Sequence, residues 1–327
     1  MKENTTKNKI YFLLKEANGY ISGEAISETL GITRSAVWKY INILRSEGYV
    51  IQSATNKGYR LLKSADKLNE TELSYALSTK ILGQPLFFMP TVGSTNAEIK
   101  KLAAKGYPQG TTVIAETQMD GKGRLGRVWQ SPPETGLWFS FLLKPELSPL
   151  HIAGITLACG MGVCMAIRNC TGLDARIKWP NDIIVNNKKV CGILTEMSAE
   201  ADKINYAVVG IGINVNTEFF PEEIRHKATS LMLEKGERFE RKTLFQNVLA
   251  ETEKYLKTYE DTYGIFIMEE YKKYCATLGR EVSVIRGNKT LCGTAVDIAE
   301  TGDLIIRTSD GEMLNIHSGE VTVQGIY

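Results

Sequence analysis

Several features that would assign a chain to a specialised class are missing from this 327-residue sequence. The opening residues, MKENTTKNK, contain no apolar signal core, and the longest apolar stretch, near 152–167, is interrupted by glycines and short polar residues. That stretch is expected to fall below the length of a membrane span. We therefore expect a cytoplasmic protein with no membrane partner.

The cysteines and the charged residues also lack the patterns that would define a class. The six cysteines form neither a CxxC pair nor a cysteine and histidine ligand pattern, so buried free thiols are expected and a zinc site is not. The 39 basic and 37 acidic residues leave a formal net charge of +2, so a nucleic acid could bind only at a local basic patch. The length allows two or three hydrophobic cores.

The amino-terminal pattern predicts a helix-turn-helix motif followed by a hairpin. Apolar residues recur at helical spacing over 7–17, and Ser22 and Thr33 are each placed to cap a following helix, with Gly31 at the turn between them. The segments YVIQS and YRLL then predict two short strands around the turn ATNKG, which would form a basic wing.

The third helix of this motif has the chemistry of a DNA-recognition helix. Its exposed face is predicted to carry donors for base edges and phosphates, while Val37, Ile41 and Leu44 face the core. The wing would add two cations on the same side. The alternative is a small helical domain that docks a protein partner, with Trp38 in its core. The candidate DNA-contacting residues are Ser22, Thr33, Arg34, Ser35, Trp38, Lys39, Asn42, Lys57 and Arg60.

Changes of pattern along the chain predict an α+β multidomain protein. A polar segment over about 63–71 is expected to be a linker or the start of another helix. Strand-like runs then alternate with helical patterns near 94–105, 150–170 and 241–263, and from about 278 short strands are separated by the turns RGNKT, ETGD and SDGE. The predicted domains are a winged helix-turn-helix at 1–65, a mixed α/β domain at 66–277 and a small SH3-like β-barrel at 278–327.

A basic, glycine-rich loop at 121–127, GKGRLGR, is suited to an anionic ligand. Glycines let the backbone approach a ligand, and the three cations supply the charge that a phosphate ester needs. The spacing matches neither the P-loop nor the dinucleotide fingerprint, and the cations taken alone also fit a solvated surface loop. Upstream, 93–96 opens a helix whose hydroxyl and amide groups could either cap it or bind a polar ligand.

A second candidate segment, KWPND at 178–182, precedes an apolar strand, and a turn over 186–189 leads into the strand VCGIL. A lysine at a strand edge is usually a solvated charge. A proline in this setting marks a strand start or a turn, so Trp179 and Asp182 could be purely structural.

Taken in order, five short segments resemble the motifs of the biotin protein ligases. They are 94–96, 121–127, 178–182, KVCGIL at 189–194 and GIGIN at 210–214. The winged helix in front and the small barrel behind resemble the bifunctional bacterial members that also repress biotin operons. The resemblance spans the whole chain and implies two functions, the attachment of biotin to a lysine of a biotin carboxyl carrier protein and biotin-dependent repression at operator DNA.

The resemblance implies a two-step reaction that uses ATP and Mg²⁺. Lys189 is implied to bridge the biotin carboxylate and the α-phosphate while an acyl adenylate forms. The carrier lysine then attacks this adenylate, so no enzyme nucleophile is needed. Arg124 and Asp182 are the other implied catalytic residues, with Asp182 orienting or deprotonating the amine. The implied biotin-binding residues are Ser94, Thr95, Asn96, Gln118, Lys122, Gly123, Arg124, Lys189 and Gly192, and the implied adenylate-binding or ATP-binding residues are Gly121, Arg127, Trp129 and Asn214.

Two residues depart from the family pattern. Lys122 stands where arginine is more frequent, which keeps the charge but loses a planar bidentate donor and could weaken ligand retention. Cys191 stands where many relatives have a small apolar residue. Repression would depend on biotin if the adenylate orders the glycine-rich loop and strengthens a homodimer that presents two recognition helices to a palindromic operator.

Two other functions are compatible with parts of the sequence. A ligand-responsive transcription factor without ligase activity would need only the winged helix, but the loop at 121–127 together with Lys189 argues against it. A lipoate or octanoate transferring enzyme would share the fold and an acceptor-side lysine. The combination of that loop, the KWPND segment and a winged helix is not expected in such an enzyme.

Overall fold

The computed structural model describes residues 2–64, 68–75, 77–200, 203–262, 265–286, 289–317 and 319–327. Residues 65–67 of the expected linker and 287–288 of the expected RGNKT turn lie outside the described residues. The chain forms two compact units, Met1–Tyr75 and Ala76–Tyr327. The predicted domain limits at 65 and 277 stay predictions.

The first unit consists of helices followed by an antiparallel hairpin. Its elements are α1 (Lys2–Glu16), α2 (Gly23–Leu30), α3 (Arg34–Ser46), β1 (Val50–Ala54), β2 (Gly58–Lys63) and α4 (Glu70–Tyr75). As predicted, Ser22 Oγ accepts a hydrogen bond from Ala25 N at 3.0 Å and Thr33 Oγ1 accepts one from Ala36 N at 3.2 Å. These bonds satisfy amides that the first turn of a helix leaves open.

Close backbone contact holds the hairpin of the first unit against its helices. Ile21 exchanges backbone hydrogen bonds with Tyr59 at 2.9 and 2.8 Å. Gly58 has φ of 101°, and a Cβ there would lie 2.1 Å from the Ile21 oxygen, so only glycine fits. The predicted core positions are confirmed, and the buried cluster comprises Ile10, Tyr11, Leu14, Ile26, Val37, Ile41, Leu44, Tyr49 and Ile51.

The second unit contains a seven-stranded mixed sheet with helices and a smaller five-stranded antiparallel sheet. Strand order in the large sheet is β3-β4-β5-β9-β8-β7-β6, in which β3 and β4 are parallel and the other neighbours antiparallel, and the small sheet has the order β13-β12-β11-β10-β14. The elements are β3 (Leu86–Val92), α5 (Thr95–Ala104), β4 (Thr112–Gln118), β5 (Gly136–Leu143), α6 (Ile152–Thr171), β6 (Arg176–Lys178), β7 (Asp182–Val185), β8 (Lys188–Ala199), β9 (Ile204–Asn214), α7 (Glu222–Arg225), α8 (Leu231–Lys235), α9 (Arg241–Thr262), α10 (Ile265–Tyr274), β10 (Glu281–Arg286), β11 (Lys289–Ile298), β12 (Leu304–Arg307), β13 (Met313–Ile316) and β14 (Glu320–Val323).

These elements confirm the predicted fold class, a helix-turn-helix followed by a mixed α/β body and a small antiparallel sheet. Strand β3 was not predicted. It contains Pro90, which is tolerated because β3 is an edge strand.

Helices cover both faces of the large sheet. Ile99 of α5 packs with Val113, Leu142 and Val208 in one buried cluster. On β5, Phe139 points to the opposite face because side chains alternate along a strand. There it meets Phe245 of α9, with ring centroids 5.0 Å apart.

Helix α6 is the longest apolar segment of the second unit. It has 20 residues and is long and apolar enough to cross a membrane, so the expectation that this stretch falls below membrane length was wrong. The helix continues beyond the expected stretch to Thr171. However, 67% of its 18-residue apolar window is buried inside the protein, as in the core helix of a globular domain.

The thiols are free, as expected. Most of them are buried, while Cys170 is half-buried and Cys292 is exposed. The buried ones are Cys159, Cys164, Cys191 and Cys275.

Candidate active site and nucleic-acid interface

A cavity of about 630 Å³ in the second unit brings the predicted ligand-binding segments together. Its walls come from the start of α5, the loop after β4, the turn between β6 and β7, the neighbouring strands β8 and β9, the segment 217–228 that contains α7, and residues 321–322 and 326–327. The predicted residues that line it are Ser94, Thr95, Asn96, Gln118, Lys122, Gly123, Arg124, Arg127, Trp129, Asp182, Lys189, Gly192 and Asn214.

The floor of the cavity is made of glycines on β8 and β9. Gly192 pairs with Gly212 across the two strands, and Gly210 lies two residues before Gly212 on the same face. A Cβ at Gly212 would lie 2.5 Å from Nε1 of Trp129, and one at Gly210 would lie 2.2 Å from Oδ1 of Asn96. Larger residues at these positions would therefore displace the side chains of Trp129 and Asn96, which pack directly against the sheet.

The indole of Trp129 lies on this glycine floor. Its Nε1 is buried and has no hydrogen-bond partner among the described residues. A buried donor without a partner costs stability. Such a donor in a ligand-sized cavity is a candidate contact for an acceptor atom of a ligand.

One end of the cavity is a network of neutral hydrogen-bonding groups. The amide and hydroxyl of Thr95 donate to Gln118 Oε1 at 2.9 and 3.1 Å, and Gln118 Nε2 donates to Ser131 Oγ at 2.9 Å. Ser140 Oγ donates to Asn96 Oδ1 at 2.5 Å and lies 2.6 Å from the Thr95 hydroxyl. These contacts fix side chains that a polar, uncharged ligand could use.

Asn96 connects this neutral network to an ion pair outside it. Asn96 Nδ2 donates to Glu196 Oε2 at 2.7 Å, and Lys100 Nζ lies 2.7 Å from Glu196 Oε1. Burial alone would raise the pKa of Glu196, but the hydrogen bonds from Lys100 and Asn96 hold that pKa below its ordinary value. The carboxylate therefore fixes which way the Asn96 amide points.

Ser94 occupies the N-cap position of α5, but its side chain makes no capping hydrogen bond within the described part of the chain. The capping interpretation of Ser94 is thus wrong. Because Ser94 lines the cavity, its hydroxyl is available to a ligand.

The glycine-rich loop folds back on itself as a small hairpin. Gly123 N donates to Arg127 O at 2.7 Å, and Trp129 N donates to Gly121 O at 2.8 Å. Gly121 is a predicted adenylate-binding residue, but it does not line the cavity, and a Cβ there would lie 2.3 Å from Trp129 O. Its glycine is needed to close the base of the loop. The tip is solvent-facing, with Leu125 77% exposed.

The other end of the cavity is charged. Lys189 Nζ lies 2.6 Å from Asp182 Oδ1, and 5.3 Å from the centre of a Trp129 ring. Arg124 reaches the same region from the loop, where it donates to Asn181 Oδ1 at 2.9 Å and to Gly319 O at 2.7 Å. Lys189 and Arg124 are 65 positions apart in the sequence, and both line the charged end of the cavity.

The KWPND segment supports this charged end in a way that the local sequence did not indicate. Lys178 is only 7% exposed, so its interpretation as a solvated edge charge was wrong. Trp179 is buried and donates from Nε1 to Gly302 O at 2.9 Å, which makes it a structural link to the smaller sheet. Lys178, Trp179 and Asp182 all line the cavity, and Asp182 also pairs with Lys189.

Several cavity residues were not among the predicted site residues, and three of them shape its floor and its charged end. Gly210 and Gly212 alternate along one strand in GIGIN, a pattern that marks close approach to the strand and could have identified them. Tyr327 also lines the cavity, and its hydroxyl donates to Asp182 Oδ2 at 2.7 Å. No sequence signal relates these two residues, which are 145 positions apart.

In the first unit, α3 presents polar residues and an aromatic ring to solvent. Trp38 is 60% exposed, so the expectation that it lies in the core is wrong, whereas the docking of a protein partner by this unit stays an alternative. Arg34, Ser35 and Lys39 are also exposed, as are Lys57 and Arg60 of the hairpin, whereas Asn42 is half-buried. Ser22 and Thr33 are exposed caps. Contact of these residues with DNA stays a prediction.

Arg45 joins α3 to the hairpin and was not predicted to matter. Its guanidinium donates to Ile51 O at 2.8 and 3.1 Å and to Ser53 Oγ at 2.6 Å. These bonds fix the position of β1 relative to the candidate recognition helix.

Within the described residues, no group of three or more histidine, cysteine, aspartate or glutamate side chains could hold a metal ion. Burial raises the pKa of the Cys191 thiol, which lies beneath the charged end, well above its ordinary value. That thiol is therefore not activated as a nucleophile.

Comparisons with known proteins give a family match for each of the three regions predicted from the sequence. The biotin/lipoate A/B protein ligase family matches residues 88–214, an HTH domain matches residues 6–60, and the biotin protein ligase C terminal domain matches residues 277–323. The bifunctional ligase/repressor BirA of Bacillus subtilis (strain 168) is 37% identical over 324 residues, which cover 98% of this chain and 99% of that relative. This chain belongs to the biotin protein ligase family. The family predicted from the five motifs is thereby confirmed.

Further members of the family share both its sequence and its fold. The bifunctional ligase/repressor BirA of Escherichia coli (strain K12) is 30% identical over 325 residues, which cover 99% of each chain. The solved biotin protein ligase from Aquifex aeolicus in complex with biotin and ATP has a TM-score of 0.64 and 33% identity, and the match covers 73% of this chain and 98% of that one.

Proposed function

We propose that the chain is a bifunctional biotin protein ligase and transcriptional repressor. The ligase joins biotin to a lysine of biotin carboxyl carrier proteins and converts ATP to AMP and diphosphate. The observation that carries this proposal is the convergence of five motifs on one cavity that has a neutral hydrogen-bonding end and a cationic end. Biotin has a neutral ureido ring and a carboxylate, which match these two ends.

The first half-reaction needs two anions to meet. A carboxylate oxygen of biotin attacks the α-phosphorus of ATP, and the bond from that phosphorus to the diphosphate leaving group breaks. Lys189 and Arg124 supply the positive charge that offsets this repulsion. Asp182 Oδ1 lies 2.6 Å from the Lys189 ammonium, and two partners of Arg124, the side-chain oxygen of Asn181 and the carbonyl oxygen of Gly319, are neutral groups that a phosphate oxygen can replace.

In the second half-reaction the amine of the carrier lysine attacks the acyl carbon, and the bond to AMP breaks. The amine must lose a proton, and Asp182 is the carboxylate beside Lys189 in the cavity wall that we assign to this task or to orienting the amine. An Asp182→Asn enzyme that transfers biotin normally from preformed adenylate would contradict this role.

Mg²⁺ would reach this site with ATP. Mg²⁺ usually binds one or two carboxylates together with substrate phosphates and keeps several waters. The cavity offers Asp182 and Glu223, and the first is already engaged by Lys189. The available groups fit an ion held chiefly by the phosphates, whose charge it would reduce.

The ligand can be tested directly against the alternative. The match over residues 88–214 is shared by biotin and lipoate ligases, whereas the match over 277–323 is to the biotin protein ligases. The full chain would be incubated with ATP, a carrier domain and either labelled biotin or labelled lipoate. Label from biotin alone is expected, and label from lipoate alone would overturn the proposal.

The first unit is proposed to bind a palindromic operator as part of a homodimer, in the cytoplasm, without a membrane partner. The exposed face of α3 and the basic hairpin support this role. Because a ligand that strengthens the dimer raises the concentration of paired recognition helices, operator affinity should rise when biotin and ATP are both present. Operator binding that is equally tight without biotin and ATP would exclude this form of regulation.

A further inference from the structure

Tyr327 enters the charged end of the cavity from beyond β14. Its hydroxyl donates to Asp182 Oδ2 at 2.7 Å, and its backbone amide donates to Asn187 O at 3.1 Å. Its ring centre lies 3.6 Å from Lys178 Nζ. One residue therefore contacts two charged side chains and the turn that precedes β8.

Tyr327 and Lys189 hold different oxygens of the same carboxylate. Lys189 Nζ lies 2.6 Å from Oδ1 of Asp182, while the phenol donates to Oδ2. Oδ1 forms an ion pair with Lys189 but no hydrogen bond within the described residues, so the hydrogen bond from Tyr327 to Oδ2 is the contact that orients the carboxylate toward the Lys189 ammonium.

The phenol is suited to act as a permanent donor here. Burial raises the pKa of the Tyr327 hydroxyl, and so do the charge and the hydrogen bond of Asp182, although Arg127 opposes this. The hydroxyl therefore keeps its proton at neutral pH. The aromatic face meanwhile offers the buried Lys178 ammonium a cation–π contact, which is stronger where water is excluded.

We propose that Tyr327 is a positioning residue for biotin activation. It holds Asp182 in the orientation that places the Lys189 ammonium between the two reacting anions, and it keeps Lys178 beside that pair. The inference rests on the proposed function of Lys189 and assigns to residues 321–327 a part in the chemistry that the five motifs do not contain.

The test is Tyr327→Phe in the full chain, which removes the hydroxyl and keeps the ring over Lys178. Adenylate formation, measured by biotin-dependent exchange of labelled diphosphate into ATP, should fall about tenfold in kcat with little change in the KM for biotin.

A matched control separates positioning from folding. In Tyr259→Phe, a fully buried tyrosine of α9 that lies away from the cavity loses its hydrogen bond to His151 O at 2.9 Å. This variant should keep the kcat and the KM for biotin of the unaltered chain, while its thermal stability falls by an amount similar to that of Tyr327→Phe. A variant of Tyr327 that loses rate only in proportion to its stability, as Tyr259→Phe does, would overturn the proposal.

A double variant tests whether Tyr327 acts through Asp182. In an Asp182→Asn background, Tyr327→Phe should cause no further loss of kcat, because the carboxylate that it orients is gone. An undiminished tenfold loss would place its action elsewhere and overturn the proposal. If the unaltered chain forms adenylate and Tyr327→Phe matches it in kcat, the positioning role alone is wrong. If the unaltered chain forms no adenylate from biotin, the proposed function fails first.

Discussion

The two ends of the cavity are built in different ways. At the neutral end, side chains from α5, β4 and β5 hydrogen-bond to one another, so Thr95, Gln118, Asn96 and Ser140 are fixed by regular elements. At the charged end, Arg124 comes from a loop and Tyr327 from beyond β14, and their partners are reached over long distances in sequence. We infer from this difference that the binding site for the uncharged ureido ring is formed before biotin binds. The cations Arg124 and Lys189, in contrast, can exchange their present partners for the anionic groups of the ligands.

This comparison predicts that residues at the charged end determine the rate of adenylate formation. In Lys189→Met the ammonium is lost while the chain length is nearly kept, and the rate of adenylate formation should fall about 10²- to 10³-fold, the usual effect of removing one preorganised group that stabilises charge in a transition state. Biotin-dependent diphosphate exchange measures it. Lys188→Met, at the exposed neighbouring position of β8, is the control and should keep its rate. A Lys189→Met rate within tenfold of the unaltered chain would contradict the assignment.

The glycine floor joins the two ends, so filling it should weaken binding at both. In Gly212→Ala the new methyl would lie 2.5 Å from Trp129 Nε1, so the indole must move. Overpacking of this kind costs about 1–3 kcal/mol, which corresponds to about 10- to 100-fold weaker binding of biotin and of a non-hydrolysable adenylate analogue.

Titration calorimetry measures this weakening. Gly160→Ala is the matched control, because its methyl would lie 3.9 Å from Ile177 Cγ2, an ordinary contact. If Gly212→Ala and Gly160→Ala bound biotin and the adenylate analogue equally tightly, the close contact between Gly212 and the Trp129 indole would not be needed for ligand binding.

The neutral end should govern affinity rather than rate. Thr95→Val removes a hydroxyl that donates to Gln118 and contacts Ser140, and it leaves buried polar atoms unsatisfied at about 1–3 kcal/mol. Biotin should bind about tenfold more weakly, as judged by calorimetry. Thr258→Val on α9 loses a hydroxyl bonded to Lys254 O at 3.0 Å and should leave biotin affinity unchanged.

The smallest expected effect concerns the ion pair behind the neutral end. Because the folded-state pKa of Glu196 lies below its ordinary value of 4.5, its carboxylate stabilises the fold above that pH, and the contribution is lost as pH falls through the folded value. Glu196 is 37% exposed, so Glu196→Gln should lower stability by only about 0.2–1 kcal/mol at neutral pH. Thermal midpoints of both proteins should converge at acid pH. A difference that stays constant with pH would contradict this reading of the pair.

Much of the fold could be predicted because its signals are local. Ser22 and Thr33 identify helix starts through their own hydroxyls, and the alternation or periodicity of apolar residues identifies β5, β9 and α9. The motif resemblance placed the cavity residues together without any knowledge of the sheet order.

What could not be predicted depends on contacts between distant segments. The ammonium of the buried Lys178 contacts the ring of Tyr327, and the exposure of Trp38 depends on which side of α3 the other helices cover. Gly121 must be glycine because Trp129 packs against it where the loop closes, and not because it lines the cavity. This role is evident only from the position of Trp129. Local patterns contain no information on such partners.

The central claim, that the neutral end binds and the charged end reacts, can be tested by measuring two quantities on two variants. Biotin affinity without ATP and the single-turnover rate of adenylate formation at saturating biotin would be determined for Thr95→Val and Lys189→Met. We expect Thr95→Val to lose about tenfold in affinity and nothing in saturated rate, and Lys189→Met to lose at least about 100-fold in rate and far less in affinity. If Thr95→Val lowered the saturated rate as much as Lys189→Met does, the division between the two ends would be wrong.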